Sequence, residues 1–170
     1  MQMGTGGKRI GNAGAFHKKV ADIKRSRLAS EHVVSISEFR ALKHVPEPKV
    51  ILVVDDEEAM RAGLKRLLES EGYFVVTAED GLELAKILET KKLDLILLDI
   101  QLPWVDGIEI CTLLKEDSEV GKVPIVIMSA RHDEDTVKRA IQAGCEEFIA
   151  KPISVEIISS VVSRTVPQAS

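Results

Sequence analysis

Three charged positions in this 170-residue chain follow directly on aliphatic runs of strand length. Asp55-Asp56 follows Val50-Ile51-Leu52-Val53-Val54, Asp99 follows Leu95-Ile96-Leu97-Leu98, and Lys151-Pro152 follows Phe148-Ile149-Ala150. Continuous apolar runs mark strands of a parallel sheet buried on both faces, and such sheets carry their ligand sites beyond the carboxyl ends of the strands. Three carboxylates and one ammonium converging there would hold a hard divalent cation and position a phosphoryl group. Each motif alone has a plainer reading. Asp55-Asp56 could only cap the helix starting near Glu57, Lys151-Pro152 could be an ordinary strand-to-helix turn, and Phe148 could be core. Their conjunction in one chain favours the pocket.

The elements that must position these groups alternate five times. Strands are predicted at about 49–54, 73–77, 94–98, 124–128 and 147–150, and helices at about 57–70, 81–90, 107–116, 133–143 and 154–165. Met60, Leu64, Leu67 and Leu68 recur at helical spacing, as do Val137, Ala140 and Ile141, then Ile157, Ile158, Val161 and Val162. Gly72, Gly121 and Gly144 follow helices, where a left-handed residue closes the turn. The expectation is an α/β, doubly wound (βα)5 fold: a flavodoxin-like, parallel five-stranded sheet with helices on both faces. Its switch point lies between the first and third strands, those that end in Asp55-Asp56 and Asp99.

With these residues in order, the stretch from about Lys49 to Val166 resembles the receiver domain of two-component response regulators. Leu102-Pro103 and Asp106-Gly107 fall in the loop after Asp99, Ser129 matches the hydroxyl residue ending the fourth strand, and Phe148 matches the aromatic switch position. The resemblance implies a phosphoacceptor switch that catalyses its own phosphorylation and dephosphorylation. Asp99 would accept the phosphoryl group from a histidine kinase or phosphotransfer protein. Asp56, Asp99 and the backbone carbonyl of Gln101 would bind Mg2+ directly, with Asp55 acting through a bound water. Lys151 and Ser129 would contact phosphoryl oxygens. Ser129 and Phe148 would then switch a face built from residues 131–165, for a downstream protein or a homodimer. Gln101 and Arg131 would stand at the pocket mouth, where the family tunes the lifetime of the phosphate. The chain departs from common family choices in having Ser129, where threonine is also frequent, Phe148 rather than tyrosine, and Leu102 where methionine is common.

Charge divides the chain. Residues 1–48 carry nine Lys or Arg against four Asp or Glu, whereas residues 49–170 carry fourteen against twenty-three. The step falls at Pro46-Glu47-Pro48, whose prolines exclude a continuous helix. The predicted organisation is a basic, partly flexible extension at 1–48, a receiver at 49–166 and a tail at 167–170. Within the extension a basic helix is predicted over Ala15–Ala29, and Ser35 with Glu38 has capping-box spacing for a short helix. Gly4–Lys8 has the wrong glycine spacing for a phosphate loop, and no strand precedes it. His17, His32 and His44 lack a helical-bundle phosphotransfer context.

With 45% hydrophobic but only 4% aromatic residues, the core must be aliphatic. No apolar run approaches the roughly 18 residues needed to span a bilayer, and the glycine-rich start lacks the apolar stretch of a signal peptide. Cys111 and Cys145 stand in no metal-ligand spacing, Cys111 falling in a core pattern, so a reducing cytoplasm is expected.

Three other functions compete. An Mg-dependent phosphatase with an aspartyl nucleophile commonly has a second Asp two residues on as general acid; here that residue is Gln101, which cannot donate in that way. A nucleic-acid- or protein-binding adaptor acting through the basic arm would use Lys and Arg, but the arm has no tyrosine, tryptophan or helix-turn-helix pattern, which weighs against nucleic acid. A receiver-like scaffold that never meets phosphate would not need the intact set Asp55, Asp56, Asp99, Ser129 and Lys151.

Overall fold

The aliphatic runs form the five strands of one parallel sheet. In the computed structural model, which describes residues 47–167, the elements are β1 (Val50–Val54), α1 (Glu58–Ser70), β2 (Phe74–Ala78), α2 (Gly81–Thr90), β3 (Leu95–Asp99), α3 (Gly107–Glu116), β4 (Ile125–Ser129), α4 (Glu134–Gln142), β5 (Glu147–Ala150) and α5 (Val155–Thr165). The strand order is β2-β1-β3-β4-β5, so β1 and β3 lie side by side at the switch point, paired Ile51↔Leu95 through Val54↔Leu98. The helix of Ala15–Ala29, the cap of Ser35 and the organisation of 1–46 lie outside the described residues.

The pleat sorts alternate strand residues into two cores. Leu52, Val54, Ile96, Leu98, Ile125 and Ile127 face α2, α3 and α4, through Leu84, Cys111, Leu114 and Ala140. Ile51, Val53, Leu95, Leu97, Val126 and Met128 face α1 and α5, through Leu64, Leu68, Ile158 and Val162. All twelve of those strand residues are fully buried, so neither face of the central strands β1, β3 and β4 is free to be polar there. Burial also pushes the Cys111 thiol up to about 11, the behaviour of a core residue rather than a redox centre.

Strands β2, β3 and β4 each run one residue later than predicted, so Asp99 and Ser129 are the last residues of their strands. The ladder continues because partners persist: Asp99 pairs with Met128, and the Ile100 N–H donates to the Met128 carbonyl. Three predicted helix starts prove to be caps: Glu57, which makes no side-chain capping bond, Asp133 and Ser154. Asp133 accepts from the Thr136 N–H and Ser154 from the Ile157 N–H, each satisfying an otherwise orphaned donor.

The glycine expectation needs one correction. Gly72 and Gly144 take positive φ, 93° and 90°. Gly121 does not; it lies in a 3-10 turn, Val120–Lys122, and is required by crowding instead. A Cβ there would stand 2.6 Å from the Lys115 carbonyl oxygen.

Candidate functional site

Each strand end presents its polar group at the same edge of the sheet. Asp55 follows β1, Asp99 ends β3, Ser129 ends β4 and Lys151 follows β5. Carboxylate oxygens of Asp55, Asp56 and Asp99 lie within 4.8 Å of one another. Asp55 and Asp99 are buried whereas Asp56 is exposed, so two carboxylates form the floor and one reaches out from the rim.

The buried pair is compensated from one side. Lys151 Nζ donates to Asp55 Oδ2 at 2.8 Å and to Asp99 Oδ2 at 3.1 Å. The other oxygens take backbone donors, Asp55 Oδ1 from the Glu57 N–H at 2.9 Å and Asp99 Oδ1 from the Gln101 N–H at 3.2 Å. Burial tends to lower the pKa of the Lys151 ammonium, but its hydrogen bonds to Asp55 and Asp99 and their charges outweigh that, and the net shift is upward. The lysine is therefore charged in the neutral range. Lys151 is fixed by its backbone too, its N–H donating to the Ser129 carbonyl at 2.8 Å, and the bond to Pro152 is cis.

Asp56 makes no ion pair among the described residues, which leaves its oxygens available. Three hard carboxylate ligands this close, one of them free, suit a divalent cation better than a soft or redox metal. Ser129 is fully buried, and its Oγ accepts from the Arg131 N–H at 2.9 Å. Phe148 is half-buried against the core of the α2–α4 face. Gln101 and Arg131 are both exposed and line a mouth of about 440 Å³ together with Asp56 and Arg139.

Close approach of backbone sets the loop after β3. A Cβ on Gly107 would stand 2.2 Å from the Asp99 carbonyl oxygen, so α3 can start there only with glycine. The loop closes through a bridge between Gln101 and Asp106 and a bond from the Gly107 N–H to the Ile100 carbonyl at 2.9 Å. Asp106 caps α3 through the Ile108 N–H and pairs with Arg139 of α4 at 2.8 Å.

Sequence reasoning overlooked the other flank. Arg61 of α1 donates to the Asp55 carbonyl and to the Glu79 carboxylate, both at 2.8 Å, and Trp104 Nε1 donates to the Glu79 carbonyl at 3.2 Å. Of the face predicted at 131–165, Ala140, Val161 and Val162 are buried in the cores, while Ile141 and Ile157 are 62% and 50% exposed. No helix among the described residues is long and apolar enough to cross a membrane.

The chain is similar to several known proteins. The chain is 38% identical over 108 residues to the polar-differentiation response regulator DivK of Brucella anthropi, covering 64% of this chain and 88% of that protein. Chemotaxis protein CheY4 of Vibrio cholerae superposes with a TM-score of 0.65 at 26% identity, over 70% of this chain and 99% of that one. The response regulator TrrA of Thermotoga maritima, solved in complex with Mg(2+)-BeF, gives 0.61 at 30% identity, over 69% and 99%. The model of the response regulator receiver domain matches residues 51–163, the whole span from β1 into α5. A five-stranded sheet in the order 2-1-3-4-5, with an acidic cluster at its switch point, thus has its explanation: the chain belongs to the response regulator receiver domain family, the phosphoacceptor module of two-component signalling.

Proposed function

We propose that Asp99 is the phosphoacceptor, receiving its phosphoryl group from a phosphohistidine on a kinase or phosphotransfer protein. The observation that carries this reading is the cluster of three carboxylates within 4.8 Å, two of them, Asp55 and Asp99, bridged by the Lys151 ammonium. In the transfer an Asp99 carboxylate oxygen forms the new bond to phosphorus. The phosphorus–nitrogen bond breaks, and its electron pair leaves with the imidazole. Asp56, Asp99 and the Gln101 carbonyl would hold Mg2+, with Asp55 as a further carboxylate beside it, and the bound cation would supply the charge neutralisation that lets two anions meet. Lys151 moves its hydrogen bonds from carboxylate to phosphoryl oxygens, and Ser129 Oγ gives up the Arg131 N–H to donate to another. Phe148 fills the space that Ser129 vacates, and the face of residues 131–165, with Ile141 and Ile157 exposed on it, meets a downstream protein or a second copy. The domain catalyses its own dephosphorylation by admitting water past Gln101 and Arg131. It acts in the cytoplasm, and its boundaries lie near 49 and 166.

Acetyl phosphate with Mg2+, followed by mass mapping of the modified residue, tests the assignment. Label is expected on Asp99 and is expected to vanish in Asp99→Asn, whose amide keeps the shape and loses the nucleophile. Wild-type labelling of Asp99→Asn would sink it.

A further inference from the structure

The ladder between β1 and β3 ends at Val54↔Leu98, one residue short of Asp55 and Asp99. Beyond it, the loop after β1 and the loop after β3 that bears Gln101 have no backbone pairing with each other among the described residues, so side chains are what link them. Lys151 does this from the β5 side, through Asp55 and Asp99. On the opposite side stands a second tie, three residues long, that uses neither carboxylate.

It starts at Arg61, whose side chain is only 13% exposed. One nitrogen donates to the Asp55 backbone carbonyl and another to the Glu79 carboxylate. The Glu79 carbonyl then accepts from the indole N–H of Trp104. The ring packs on Gly81 at the start of α2, where a Cβ would stand 3.1 Å from Cζ3 and 3.3 Å from Cε3. Trp104 lies within the loop that the Gln101–Asp106 bridge closes, so fixing the indole fixes the loop that bears the Gln101 carbonyl. An aromatic still 37% exposed gains less from burial than a core residue does; what it gains here is a fixed orientation.

We infer that Trp104, acting through Glu79 and Arg61, is a positioning residue that holds the Gln101 loop at its working distance from Asp55 and so sets the affinity of the site for its divalent cation. This rests on the reading of the acidic cluster as an Mg2+ site. Outer partners that orient ligands typically change metal affinity when removed, by about 10–100-fold in enclosed sites. A half-exposed strap belongs at or below the low end of that range.

Calorimetric titration of Mg2+ into wild type, Trp104→Ala, Trp104→Phe and Gly81→Ala is the test, paired with metal-free melting of each. Trp104→Ala should raise the Mg2+ dissociation constant about five- to tenfold. Trp104→Phe keeps a ring and loses the N–H, so it should fall between. Gly81→Ala is the critical variant, because it displaces the indole without altering it or any ligand. It should weaken Mg2+ binding about threefold, although alanine favours a helix over glycine. If Trp104→Ala fails to fold, the other two variants decide. Melting points that fall while every dissociation constant stays within about twofold of wild type would overturn the inference, since a merely structural tryptophan would behave so. A wild-type protein that takes up no Mg2+ would overturn both this and the metal reading, whereas wild-type uptake with unchanged variants would overturn the strap alone.

Discussion

Lys151 pairs with two carboxylates at once, and both of them are inside the protein. Removing one partner of a buried ionic group leaves the others uncompensated, at a typical loss of about 3–5 kcal/mol. Lys151→Met should therefore lower metal-free stability by about 3 kcal/mol, read by urea unfolding, and should enlarge the stabilisation that Mg2+ gives. The pH dependence has a definite sign. The folded pKa of Lys151 is raised, so its contribution is fully present below the ordinary value of 10.5 and is lost as pH rises through the higher folded value. An alkaline loss of stability that is the same in wild type and Lys151→Met would show that the pairing contributes nothing. Gly107 yields a second expectation at this scale. Its Cβ-free approach to Asp99 means that Gly107→Ala, ordinarily a helix-stabilising change, should destabilise by about 1–3 kcal/mol and slow labelling of Asp99. Unchanged stability would mean that the loop relaxes freely.

The apolar period placed α1, α4 and α5 in the sequence, and a capping side chain fixes the start of every helix except α1. For α4 the cap is Asp133, whose carboxyl is held below its ordinary 3.8, first by the Thr136 hydroxyl and then by the Thr136 N–H. Such a depressed group stabilises fully above 3.8, and its contribution disappears as pH falls through the lower folded value. Asp133→Ala should therefore lower the melting point at neutral pH and leave the two proteins alike in strong acid. A gap that persists at low pH would assign the loss to something other than the carboxylate. The strand runs, the five alternations and the convergence of Asp55, Asp56, Asp99 and Lys151 were legible because aliphatic runs ending in charge have few other meanings. Arg61 and Arg139 were not, since their partners Glu79 and Asp106 lie 18 and 33 residues away and are met by long side chains whose direction depends on loop paths. Nor did composition separate Gly121 from Gly72 and Gly144; a carbonyl crowding a turn leaves no mark that a positive φ would not also leave.

For the molecule as a whole, the acidic rim should make stability a function of the divalent cation. Mg2+ that binds only the folded protein raises the melting temperature by mass action. Asp56→Ala should abolish that rise and, with one repelling charge gone, leave the metal-free protein no less stable. An equal Mg2+ shift in both proteins would place the cation elsewhere. A protein starting at residue 49 should fold and accept label as the full chain does, because among the described residues both cores and the site are built from later positions; slow labelling would make the arm part of the domain. The strand order also has a consequence for synthesis. Ribosomes release β1 and its Asp55 first, β3 and Asp99 some forty residues later, and β5 with Lys151 last. Until that final strand emerges, the nascent chain carries two carboxylates destined for the interior and lacks the ammonium that makes their burial tolerable. Translation pauses before β5 would thus hold the chain at its most aggregation-prone stage, with β4 as an unpaired edge.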